Sequence, residues 1–227
     1  VVTGKAIEDG GVPGREEATA RGGLLALKEY MRLAGMFSKK PSLAIQGFGN
    51  VGGNMARLAG LPEFAFPVVA VSDKHGGLYA SGGLDVQAVC SWAEQNHTLQ
   101  GFPAADAISN EELLQLSVDV LVPAAMENQI TKDNAPRLEA KCVLELANEA
   151  VTPEAYAILK DRNIPALPGI AANAGGVIVS FLEWARNRGQ RWHTVDIPTI
   201  GLLVEKELKH IMEDLVQRLY QRSQADS

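Results

Sequence analysis

Cysteine is scarce. Cys90 and Cys142 are the only two in the chain, far apart and in apolar surroundings, which argues against a disulfide scaffold and for two buried free thiols in a reducing compartment. Histidine is thin as well: His75, His97, His193 and His210 are scattered without metal-ligand spacing, so no metal site is expected. No apolar run approaches the roughly 20 residues that span a bilayer. No charged-then-apolar leader opens the chain, and a cytoplasmic protein away from membranes is the expectation. Positive charge is short too. The net charge is −6 with no basic run to set against it, which argues against nucleic acid as a partner. Neither Ser91 nor Ser180 stands in a nucleophile elbow, so acyl transfer is not expected. Trp92, Trp184 and Trp192 read as core or interface packing.

What is present is an ordinary globular composition: 227 residues, 46% apolar, 22 of them glycine, enough for one large domain with a real core. Short runs rich in Leu and β-branched residues recur at 42–46, 67–73, 119–125, 142–147 and 164–168. They do not alternate strictly, as suits strands buried on both faces of a parallel sheet. Helix-like stretches lie between them. "SNEELLQL" opens with a Ser109…Glu112 capping box, and "TPEAYAILKDRN" places Thr152 as N-cap with Pro153 at the first helical position. A helix is read from "GGLLALKEYMRLAGM" before the sheet, another from "NAGGVIVSFLEWARNR" after it, and a long charged one from about Pro198 to Arg222. Strand-helix alternation predicts an α/β fold with a doubly wound, mostly parallel sheet. No repeat or linker interrupts residues 1–227, so a single domain is expected.

"QGFGNVGGN" carries the first functional signal. Gly47, Gly49 and Gly52 have dinucleotide-fingerprint spacing, with a strand leading in and a helix leading out. Gly47 permits the tight turn, Gly49 lets a pyrophosphate approach the backbone, and Gly52 allows close helix packing; the helix N-terminus offers N–H groups to the phosphates. Phe48, Asn50 and Val51 complete the loop. Asp73, ending the next strand, suits an adenosine ribose. It leans the choice to NAD, while neighbouring Lys74 leaves NADP open through its charge on a 2′-phosphate.

Three further segments sharpen this: "VVTGKAIEDGGVPGREEATARGG", "VAVSDKHGGLY", and "ELANEAVTPEA" followed by "LPGIAANAGGVIVSFLEW". Together with the fingerprint they resemble the nucleotide-binding half of the glutamate dehydrogenases, within the glutamate/leucine/phenylalanine/valine dehydrogenase family. The resemblance implies a Rossmann-like fold and a nicotinamide dinucleotide as cofactor. It places Arg15 and Thr19 on the entry helix, with Thr19 bonding the nicotinamide carboxamide; Thr19 also reads as a helix-start hydroxyl. It sets Asn148 beside the nicotinamide ribose, Asn173 on the carboxamide, and the Ala125 backbone along the adenine-linked ribose. Val177 and Ser180 match substrate-facing residues, although Ser180 also reads as a hydroxyl bonded back within its helix.

The family's reaction is oxidative deamination of glutamate to 2-oxoglutarate and ammonia. Its substrate lysines and proton-shuttling aspartate belong to an N-terminal domain with no counterpart here, so no catalytic residue is assigned and the isolated chain is expected to be inactive. Possible partners are glutamate with that other domain and a second copy of the chain. Leu146, Ala150 and Gly169 depart from the family's glycine, proline and aspartate. Leu146 is expected to crowd the nicotinamide, and Gly169 to loosen the hinge. A regulatory relative that keeps the fold is the alternative reading.

Overall fold

The computed structural model describes residues 2–36 and 40–225. Seven strands form one sheet: β1 (Leu43–Gln46), β2 (Val68–Asp73), β3 (Gly76–Tyr79), β4 (Asp106–Ile108), β5 (Val120–Pro123), β6 (Cys142–Leu144) and β7 (Ala166–Leu167). Their order is β4-β3-β2-β1-β5-β6-β7. The pairs from β2 through β1, β5 and β6 to β7 are parallel, whereas β3 is antiparallel to both β2 and β4. The sheet is therefore α/β and mostly parallel, as expected.

Successive side chains of a strand point to opposite faces, and the core divides accordingly. Leu43 and Ile45 of β1, Val120 and Val122 of β5, and Leu144 of β6 join one apolar cluster. Ala44, Leu121 and Val143 join a second on the other face. The first face is covered by α1 (Ala18–Ala34), α2 (Asn50–Ala59), α7 (Gly175–Asn187) and α8 (Ile197–Ala225). The second is covered by α4 (Asn110–Leu114) and α5 (Pro153–Asp161). The sheet's central strands are dry on both sides, which is why their sequences run apolar instead of alternating.

Local signals hold where they were strongest. Ser109 Oγ accepts from Glu112 N at 3.1 Å while Glu112 returns its carboxylate to Ser109 N at 2.7 Å, closing the capping box of α4. Thr152 caps α5 through Ala155 N at 3.3 Å. In α8, Ile200, Val204, Leu208, Met212 and Val216 are buried at every fourth position, a single stripe laid along the first cluster.

Three expectations change. β3 turns back on β2 as an antiparallel hairpin and β4 then pairs antiparallel with β3, so strand and helix do not alternate at this edge of the sheet. "GGLY" carries little β-propensity, and its pairing comes from lying back along β2. Helix α1 starts at Ala18, upstream of the glycine pair. Gly22 and Gly23 are interior because other elements press on them. A Cβ on Gly22 would stand 2.9 Å from Gly175 Cα of α7, and one on Gly23 would stand 2.5 Å from Leu146 Cδ2. Finally, Cys142 is buried but Cys90 is only half-buried; both are free.

Candidate functional site

The strand order reverses at β1: the chain moves from β1 to β2 on one side and later to β5 on the other. Parallel sheets leave a crevice at such a point, beyond the carboxyl ends of the strands. The glycine loop lies there. Gly47 has φ +95°, and a Cβ on it would stand 2.9 Å from Ala124 and Ala125. A Cβ on Gly52 would fall on the Gly47 carbonyl oxygen. Gly49 is different: a Cβ there meets no heavy atom within 4 Å. Gly49 is also the N-cap of α2 and supplies no side-chain bond to the helix. The first N–H groups of α2 have no partner in a preceding turn of helix and lie at the positive end of its dipole, an arrangement suited to a diphosphate.

Beside this loop is a cleft of about 670 Å³. It gathers Arg15, Thr19, Val51, Ala125, Asn148, Asn173 and Val177, all singled out in the sequence, and its wall also includes Leu146, Ala147, Gly176 and Glu127. Asn173 Nδ2 donates to Asn148 Oδ1 at 2.6 Å and to the Leu146 carbonyl at 3.4 Å. Two amides assigned to one end of a ligand are therefore in contact. Thr19 Oγ1 lies so near Gly176 that a Cβ on that glycine would come within 2.6 Å of it. Leu146 is 3% exposed and fills the space Gly23 leaves. The crowding expected of it is directed largely into α1.

Two side chains are more committed than their sequence roles suggest. Asp73 accepts from His75 N at 2.7 Å on one oxygen, and from Leu99 N at 2.7 Å and Thr98 Oγ1 at 3.1 Å on the other. Burial pushes its carboxyl up, but these bonds outweigh it and hold the pKa below the usual carboxylate range. Asp73 therefore stays charged and anchors the loop after α3 (Val86–Asn96). It lies outside the cleft, with exposed Lys74 beside it. Ser180 donates to the Gly176 carbonyl at 2.8 Å and accepts from Arg15 Nε at 2.8 Å, so it is bonded back within its helix and its oxygen is also engaged by Arg15.

The segment before α1 lies across α7. Glu183, with a fully buried side chain, takes Gly4 N at 2.8 Å, Lys5 N at 3.3 Å and Lys5 Nζ at 2.8 Å. Asn187 Nδ2 reaches the Gly10 carbonyl at 3.0 Å. These contacts fix where Arg15 and Thr19 enter the cleft.

One buried polar cluster carries no mark in the sequence motifs. Glu145, 2% exposed, follows β6 directly. It accepts from Val151 N at 3.1 Å, Gly169 N at 2.9 Å and the Tyr156 hydroxyl. The available signal was a lone acid in the apolar run "CVLELA". Among the described residues, no group of three or more His, Cys, Asp or Glu could hold a metal ion, and no helix is long and apolar enough to cross a membrane.

Comparison with known proteins agrees with this geometry. The chain is 44% identical over 218 residues to a glutamate dehydrogenase of Thermotoga maritima, covering 96% of this chain and 51% of that protein. It is 47% identical over 217 residues to glutamate dehydrogenase A2 of Halobacterium salinarum, covering 95% of this chain and 51% of that protein. The crystal structure of hetero-hexameric glutamate dehydrogenase from Thermus thermophilus in its Leu-bound form superposes with a TM-score of 0.88 at 31% identity, over 99% of this chain and 51% of that one. The chain thus spans about half the length of the relatives it matches. The family model for Glutamate/Leucine/Phenylalanine/Valine dehydrogenase matches residues 10–227, and the chain belongs to that family.

Proposed function

We propose that this chain is the dinucleotide-binding half of a glutamate dehydrogenase, with NAD preferred over NADP. The observation that carries the reading is Gly49, the N-cap of α2, where an added Cβ would meet no heavy atom within 4 Å, next to a cleft lined by Val51 of the same helix and by the bonded Asn148–Asn173 pair. Gly47, Gly49 and the first turn of α2, with Phe48, Asn50 and Val51, hold the diphosphate. Asp73 and the Ala125 backbone take the adenosine side, while Thr19, Asn148 and Asn173 orient the carboxamide end. Amides suit that task because they supply donor and acceptor without charge. The nicotinamide, when bound, supplies the hydride acceptor.

The preference for NAD rests on Asp73, a carboxylate held ionised by its three donors, which repels a 2′-phosphate; Lys74 offsets that repulsion in part. The substrate side of the cleft is Val177 and Arg15, with Ser180 bonded to Arg15 behind them. Val177 is 74% exposed, as is Met126 at 68% on the same rim, an apolar margin suited to meeting the substrate-binding half of the enzyme. Arg15 offers its charge to the substrate's distal carboxylate, and the Ser180 hydroxyl turns from Gly176 to join it. The groups that shuttle protons belong to that other half.

Calorimetry with NAD and NADP tests the reading. Binding of NAD tighter than NADP is expected. A reversed order sinks the preference, and a flat titration with both at millimolar concentration sinks the dinucleotide assignment. A steady-state assay with glutamate should show no appreciable turnover; brisk turnover by this chain would show that the proton-shuttling groups lie within it.

A further inference from the structure

We propose that Glu145 and Tyr156 are positioning residues that set the nicotinamide end of the cleft by clasping its two amide-bearing loops from behind; this rests on the dinucleotide reading above. A buried carboxylate is costly unless its lone pairs are filled, and Glu145 is filled by donors from three places. Val151 N closes the loop that carries Asn148, and Gly169 N opens the short helix α6 (Gly169–Ala172), whose C-cap is Asn173. The Tyr156 hydroxyl, from α5, supplies the third bond. At the cleft surface the same two loops meet again through the Asn173–Asn148 bond of 2.6 Å. The loops are thus joined at two points, one buried and one facing the ligand, and the buried joint fixes how far apart the amides stand.

Gly169 belongs to the same arrangement. A Cβ there would stand 3.1 Å from the Ala147 carbonyl oxygen and 3.4 Å from the Glu145 side chain. A carboxylate in place of this glycine would also stand against the Glu145 side chain. Burial raises the Tyr156 pKa strongly, and the bond to Glu145 raises it further, so the phenol remains a donor throughout the neutral range. Among the described residues no Lys, Arg or His pairs with Glu145; neutral N–H and O–H groups hold it, and their directions give the joint its geometry.

The test compares NADH with ADP-ribose, which lacks the nicotinamide, by calorimetry on the chain carrying Tyr156→Phe or Glu145→Gln. Tyr156→Phe removes one donor and keeps the ring. Glu145→Gln keeps the shape but turns an N–H₂ toward groups that are themselves donors. NADH affinity is expected to fall about tenfold, the upper end of one hydrogen bond's net contribution, while ADP-ribose affinity changes less than about twofold. Thermal denaturation of each variant confirms that it is folded, and the second variant serves if the first is not. A parallel loss for both ligands, or no loss for either, overturns the proposal. Failure of the unmodified chain to bind ADP-ribose would instead bring down the dinucleotide reading, and the clasp's role with it.

Discussion

Replacing Gly49 by valine separates binding from folding at this site. A Cβ on Gly49 meets no heavy atom within 4 Å, so the substitution is expected to be accommodated in the free protein. Stability is expected to move by less than about 1 kcal/mol, or roughly 2–4 °C in Tm for a domain of this size. The same side chain fills the space a diphosphate needs in order to reach the backbone of α2. Losing two charge-assisted bonds of about 1.5–3 kcal/mol each removes roughly 3–6 kcal/mol of binding, a rise of about 10²–10⁴-fold in Kd for NAD. Gly52→Ala is the contrasting control. Its Cβ falls on the Gly47 carbonyl oxygen, an overpacking that costs about 1–3 kcal/mol or more and lowers Tm by several degrees. Calorimetry with NAD and thermal denaturation of both variants give the comparison. If Gly49→Val binds NAD within threefold of the unmodified chain, no diphosphate sits against this loop.

Two more outcomes follow from the packing around the cleft. Burial pushes the Glu183 carboxyl up, but Lys5 and the Gly4 and Lys5 N–H groups outweigh it and leave the pKa lowered. The stability it contributes is therefore present above the unfolded value of about 4.3 and is lost as pH falls through the folded one. The Tm gap between the unmodified chain and Glu183→Gln should be widest near neutrality and close below about pH 4; an unchanged gap at low pH refutes the assignment. Gly23→Val should destabilise by about 1–3 kcal/mol through Leu146. Adding Leu146→Ala should recover part of that loss, with a coupling of about 0.5–3 kcal/mol in a denaturant double-mutant cycle. Strict additivity would mean that the two residues do not share the space.

What the amino-acid order determined alone lies close together in the chain. The spacing of Gly47, Gly49 and Gly52, the Ser109 capping box, the Thr152 cap and the buried runs of β1, β2 and β5 act over a few residues, so each leaves a readable local mark. The amides Asn148 and Asn173 were legible only through a motif resemblance, and tertiary packing decided that they touch. Tertiary structure also decided that Asp73 anchors the loop after α3, that "GGLY" becomes a strand by pairing back on β2, and that Leu146 fills the space of Gly23. Glu145 shows the reason most directly. Its three donors come from Val151, Tyr156 and Gly169, which the chain brings together only when β6 and β7 lie side by side, and no local propensity encodes a bond between groups so far apart in sequence.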